Sequence, residues 1–169
     1  MKNTKRVVEL ALLTAISAAI LISVSFIPTG RVAGTALAGL AVLIAVVGHG
    51  PVSGILVYIA AFLLAVVISP AKSSAFVFLA VFGHYPVLKC LIEGLRNAVA
   101  EWILKILLCN AVFVFIYYFF TAFIGLDPSM LRDWMLALVC LAFNVVFVVY
   151  DIALTYIVRM YVQRIKNRR

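Results

Sequence analysis

Residues 134–158 read WMLALVCLAFNVVFVVYDIALTYIV and run directly into residues 159–169, RMYVQRIKNRR. The first of these stretches carries one charge, Asp151, whereas the second carries five Lys or Arg and no acid. A helix that crosses a bilayer needs roughly 20 mostly apolar residues at ~1.5 Å each. Lys and Arg collect on the cytoplasmic flank of such helices. The boundary at Val158/Arg159 therefore reads as a transmembrane helix emerging on the cytosolic side.

Upstream, the same apolar texture continues back to Val7 and is broken by Pro, Gly and charge, the usual turn signals. Six runs result. They are 7–27, stopped by Pro28-Thr29-Gly30-Arg31; 32–47, closed by Gly48-His49-Gly50-Pro51; 52–68, ended by Ser69-Pro70-Ala71-Lys72; 75–92; 102–124, ended by Gly125-Leu126-Asp127-Pro128; and 134–158, with 159–169 as a basic cytosolic tail. Lipid offers no partner to backbone polar groups, so only helices or closed barrels span it. These runs are too long, and alternate too little, for barrel strands. The predicted fold is an all-α integral membrane protein, a six-helix bundle forming one membrane domain over 1–169. An even number of passes places both termini on one side. The second and third runs reach only about 25 Å against a ~30 Å hydrocarbon core. They are expected to extend into their loops or to sit in a thinned bilayer.

Composition agrees. The chain is 67% hydrophobic, where soluble domains hold about half, and a small domain has too much surface to hide the excess. Fourteen basic against six acidic residues leave a net charge of +8. Because the cations gather beside apolar runs, they read as headgroup contacts and topology signals, not as a nucleic-acid footprint. On the six-pass layout the cytosolic set is Lys2, Lys5, Arg6, Lys89, Arg96, Lys105, Arg159, Arg164, Lys166, Arg168 and Arg169; the outer set is Arg31, Lys72 and Arg132. The first run, 21 residues long, exceeds a signal-peptide core and reads as a retained helix. Cys90, Cys109 and Cys140 read as small buried hydrophobes, with neither disulfide nor metal spacing.

Polar groups within apolar runs are costly and need a reason. Asn110, Asn144, Asp151 and His84-Tyr85-Pro86 are of this kind. The Asn residues are either interhelical glue or ligand contacts. Asp151 is expected to be held by a basic or hydroxyl side chain near the cytosolic end, and Pro86 to kink its helix. Glu9 is expected to reach Lys5 or Arg6. Lys89/Glu93 and Glu101/Lys105 are each four apart, which predicts an amphipathic elbow at the cytosolic interface; the alternative is a solvated turn between the two runs. At the other end Arg31 and Lys72 stand in loops, Trp134 at a helix start, and Phe76, Phe78 and Phe82 along the fourth run. Together they suggest a cationic, aromatic-rimmed outer pocket for a small anionic or flat molecule; the alternative is a set of interface anchors. Ala11, Ala15 and Ala19 form a small-residue stripe that would let another helix approach closely. Gly30/Gly34 and Gly50/Gly54 repeat that spacing. No HExxH, GxSxG, paired-carboxylate or phosphate-loop pattern is present. The expectation is a non-enzyme that binds no metal or cofactor and cannot hydrolyse ATP alone.

The basic N-terminus leading into Ala11-Leu12-Leu13-Thr14-Ala15, the outward Ile27-Pro28-Thr29-Gly30-Arg31 loop, the short second run and the six-helix count resemble a known family. They are similar to the substrate-binding S components of energy-coupling factor (ECF) transporters of prokaryotes. That resemblance implies a plasma-membrane subunit that captures a vitamin-like small molecule from outside. Its partners would be a membrane coupling subunit and two cytosolic ATPases, which supply the energy. It implies coupling contact through Ala11 and Ala15, with Ala19 repeating the spacing, and a first outer loop folding over the pocket. Arg31, Lys72, Phe78, Phe82, Trp134 and Asn144 are the expected substrate-binding residues. Two other classes fit the same layout. One is a membrane scaffold of the cell envelope; the other is a small exporter in which Asp151 or Glu9 binds a proton.

Overall fold

The structure is a computed structural model that describes residues 2–27, 30–95, 97–124 and 133–166. Pro28-Thr29 of the first loop, Arg96, the Gly125–Pro128 turn, Arg132 and the last three residues of the basic tail lie outside the described residues.

Among the described residues the chain is all helical. The elements are α1 (Lys2–Ser25), α2 (Arg31–His49), α3 (Pro51–Ile68), α4 (Lys72–Val77), a π turn (Phe78–Phe82), α5 (Tyr85–Glu93), α6 (Ala98–Ile124) and α7 (Asp133–Lys166). With α4, the π turn and α5 counted as one run, six helices are long and apolar enough to cross a membrane. The second and third runs do lengthen into their punctuation, to 19 and 18 residues. Gly50 alone separates them. Its positive φ of 90° lets its N–H return to Val46 O, and Pro51 opens α3, where a missing N–H costs nothing.

The core lies among α1, α2, α3 and the fourth run. Ala38, Ala45, Ala61, Ala65 and Ala75 are fully buried there with Leu21, Val42 and Phe78. Small side chains at the crossings let the backbones come close. Gly34 and Gly54 belong to the same pattern: an added Cβ would run into Val24 at the first and Val46 at the second. Gly30 and Gly50, by contrast, sit in turns with positive φ. The four-residue spacing of these glycines therefore joins turn and crossing positions and does not mark one packing face.

α6 and α7 form an outlying pair. Half of the apolar window of α2 is buried, against 11% for α6 and 6% for α7. A second cluster, Leu43, Tyr85 and Leu154, ties α7 to α2 and α5. Contacts between Glu9 and His49 and between Arg6 and Ser53 bring the start of α1 to the α2–α3 turn. Leu40 and Val47 of α2 and Ile157 and Val158 of α7 all pack against that second cluster, so the start of α1 and the later part of α7 lie toward the same end of α2. Arg31, Ser73 and Lys72 mark the opposite end. Glu9 thus turns to His49, 2.7 Å away, and not to Lys5 or Arg6 as expected. His49 stands one full helix away in sequence, beyond the reach of a local reading.

Candidate functional site: a broken helix, an apolar cavity and a buried charge cluster

The fourth run is broken at its middle. The Gly83 N–H reaches back five residues to Phe78 O at 2.7 Å, closing the π turn. Pro86, in the first turn of α5, has no N–H to give Phe82 O. A freed carbonyl in an apolar setting needs another donor. Tyr150 of α7 supplies its hydroxyl to Phe82 O at 3.5 Å, and Tyr58 of α3 donates to Leu79 O at 2.9 Å. His84 Nδ1 lies 3.1 Å from the same Leu79 oxygen, which can only accept, so the proton sits on Nδ1. The kink expected at Pro86 is thus a π turn plus a proline, held open by three side chains. Pieces of π-helix gather at functional sites, and broken helices line the binding sites of many transporters.

A cavity of about 380 Å3 lies against this break. Val32 of α2, Val77, Val81 and Phe82 of the fourth run, Ile116 of α6 and the α7 face from Val139 to Tyr150 line it. It is a hydrocarbon wall: Tyr150 contributes its ring and spends its hydroxyl on Phe82 O. The looseness of the α6–α7 pair leaves the space unfilled.

Of the expected substrate-binding residues, Phe82 lines this cavity. Phe78 is fully buried behind it, in the core. Arg31 donates to Ile27 O and, at 3.3 Å, to Ser73 Oγ. Lys72 caps the end of α3, donating to Val66 O and Val67 O. Trp134 is exposed. Asn144 exchanges hydrogen bonds with Asn110 at 3.3 and 3.5 Å and donates to Cys140 O. The structure therefore brings Phe82 and Phe78 together and leaves Arg31, Lys72, Trp134 and Asn144 off the cavity wall. Ala11, Ala15 and Ala19 are all exposed, beside the exposed Leu12 and Ile16.

Toward the chain-end side, a charge cluster closes the space between α5, α6 and α7. Lys89 donates to Asp151 Oδ1 and, at 2.8 Å, to Thr155 Oγ1, and pairs with Glu93 at 2.6 Å. Lys105 lies 2.9 Å from both Asp151 Oδ2 and Glu93 Oε1. Tyr85 donates its hydroxyl to Asp151 Oδ1 at 2.6 Å. The Lys89, Lys105 and Asp151 side chains are 2%, 6% and 5% exposed, and Glu93 alone reaches the surface. Two cations and two anions balance, as buried charges must.

This corrects the expected interfacial elbow. Lys89 and Lys105 do not lie on a helix between the fourth and fifth runs; the connection is only residues 94–97. Lys105 turns to Glu93 and Asp151 in place of Glu101. Asp151 is held by basic and hydroxyl groups, as its surroundings required. Among the described residues no three His, Cys, Asp or Glu side chains gather as metal ligands would. Comparisons with protein families, curated proteins and solved structures found no match to this chain.

Proposed function

We propose that this protein is a membrane-embedded capture subunit that takes a small, largely apolar molecule into the cavity at the broken fourth helix. The Arg31 end faces outside and the basic tail faces the cytosol. The membrane is a prokaryotic plasma membrane, as the ECF resemblance implies. Energy comes from partners: a coupling subunit that docks on the α1 face carrying Ala11, Ala15 and Ala19, and two cytosolic ATPases.

The observation that carries this reading is the apolar cavity of about 380 Å3 beside a helix break whose carbonyls are satisfied by side chains. Its volume lies within the ~300–1,000 Å3 range of small-molecule sites. A static scaffold needs neither the break nor the space. The exposed small-residue face on α1 supports a separate helix partner, because small residues shorten the interaxial distance. In the proton-coupled alternative Asp151 would have to stand free; instead three donors hold it, the Tyr85 hydroxyl and the two lysines.

The test is isolation of the full chain from its native membrane in mild detergent, followed by mass spectrometry of bound small molecules and proteins. One apolar compound in about 1:1 ratio and a co-isolated membrane subunit with ATPases are expected. Ala15→Trp should remove the protein partners and keep the compound. Recovery of the wild-type chain with neither compound nor partners would overturn the capture reading.

A further inference from the structure

We infer that the captured molecule is a single-tailed or fused-ring amphiphile carrying one anionic group, with its apolar body in the cavity and its charge on Arg31. This rests on the capture reading above and names its substrate class.

Size comes first. A benzene molecule occupies a cavity of about 150 Å3, so about 380 Å3 admits two to three such rings or one acyl chain. Lining comes second. No polar side chain is free on the wall, so a polar body would lose its hydration without replacement. The polar part of any ligand must therefore lie at the rim.

Among the described residues Arg31 is the group at the rim best placed to meet a charge. Val32 lines the cavity, and Arg31 precedes it. Ser73, Val77 and Val81 follow one another at four-residue spacing along the fourth run. Val77 and Val81 are cavity wall, and Ser73, one turn beyond, accepts from Arg31 Nη1. The guanidinium is thus one helical turn past the hydrocarbon wall. It uses two long contacts, 3.3 and 3.4 Å, out of five N–H donors. No carboxylate pairs with it among the described residues. Lys72, next to Ser73, also lacks an acidic partner there and spends its ammonium on α3 carbonyls. Among the described residues the site therefore has a positive rim without an acidic partner over an apolar well, and Arg is suited to carboxylate and phosphate oxygens.

The experiment uses the full chain in zwitterionic-lipid nanodiscs at mildly alkaline pH. The probes are a diazirine-bearing palmitic acid and its methyl ester. After illumination, labelled peptides are mapped, with and without excess unlabelled palmitate. The acid should label α7 between Val139 and Tyr150 saturably, and the ester about tenfold less at equal concentration, as for loss of a charge-assisted bond. Arg31→Gln should lower the acid to the level of the ester and leave the ester unchanged, which also shows that the variant is folded. Ala142→Trp should remove both labels by filling the well from an exposed helix position. Equal, saturable labelling by acid and ester would overturn the anionic class while the capture site stands. Labelling that does not saturate, or that spreads evenly to Leu12 and Leu63 on the exposed faces, would mean simple partition from the bilayer, and would overturn the capture reading with it.

Discussion

Asp151→Asn should cost the folded protein about 3–5 kcal/mol, the usual penalty when one partner of a buried ion pair is removed. The change keeps the size and shape of the side chain and deletes only its charge. Lys89 and Lys105, 2% and 6% exposed, would then share Glu93 alone. One positive charge would stand uncompensated where α5, α6 and α7 meet. The effect should appear as a large drop in the temperature at which the purified protein stops eluting as a single species. A second variant separates charge from packing. Asp151→Leu combined with Lys89→Met restores the balance, with Lys105 and Glu93 still paired. Replacing a buried pair by hydrocarbon of similar volume is often neutral, so the double variant should recover part of the loss, the remainder being the Tyr85 hydroxyl left without its acceptor. If Asp151→Asn were as stable as the wild type, the cluster would not be what fastens the α6–α7 pair to the rest.

Gly39→Val should be the second large effect, through steric overlap. A Cβ at position 39 would lie 2.8 Å from Phe82 O and 2.6 Å from the Tyr150 hydroxyl. The first of these is backbone of the π turn and cannot rotate away. The second is the donor that serves that carbonyl. A side chain here must push α2 off the break, and overpacking typically costs about 1–3 kcal/mol, with backbone overlap placing this case at the upper end. Gly48→Ala is the internal control: it lies in the same helix, and nothing stands within 4 Å of its added Cβ. It should be neutral or gain up to about 1 kcal/mol from helix propensity. Comparable melting losses for both variants would mean that α2 does not approach the π turn as closely as described.

Much of this architecture is readable along the chain, because its signals are local. Run length and Pro/Gly punctuation are enough to locate six helices, and they locate the break at Gly83–Pro86. The cluster around Asp151 is a different case. Its charge partners Lys89 and Lys105 stand 62 and 46 residues away, and each lysine has a carboxylate four residues off that offers a simpler local explanation. Spacing alone favours the interfacial helix; only the folded arrangement shows that the carboxylate on α7 draws both lysines inward. Asn144 shows the same limit, since its amide is taken by Asn110 across a helix pair. The cavity wall is the least legible part. α6 and α7 are apolar on every side, so no periodicity distinguishes Ile116 or Val139 from a lipid-facing neighbour. Phe82 stands out in the sequence as an aromatic on the fourth run, whereas the valines of the wall carry no mark.

Placement of the cavity mouth outside, with both chain ends in the cytosol, is tested most directly by labelling single cysteines with a membrane-impermeant maleimide in intact cells. Cys90, Cys109 and Cys140 would first be replaced by Ala. Ser73→Cys, beside Arg31, should react from outside, and Asn97→Cys, between α5 and α6, only after the cells are permeabilised. Reaction of both positions from the same side would contradict the six crossings, and the reverse pattern would turn the proposed capture site toward the cytosol.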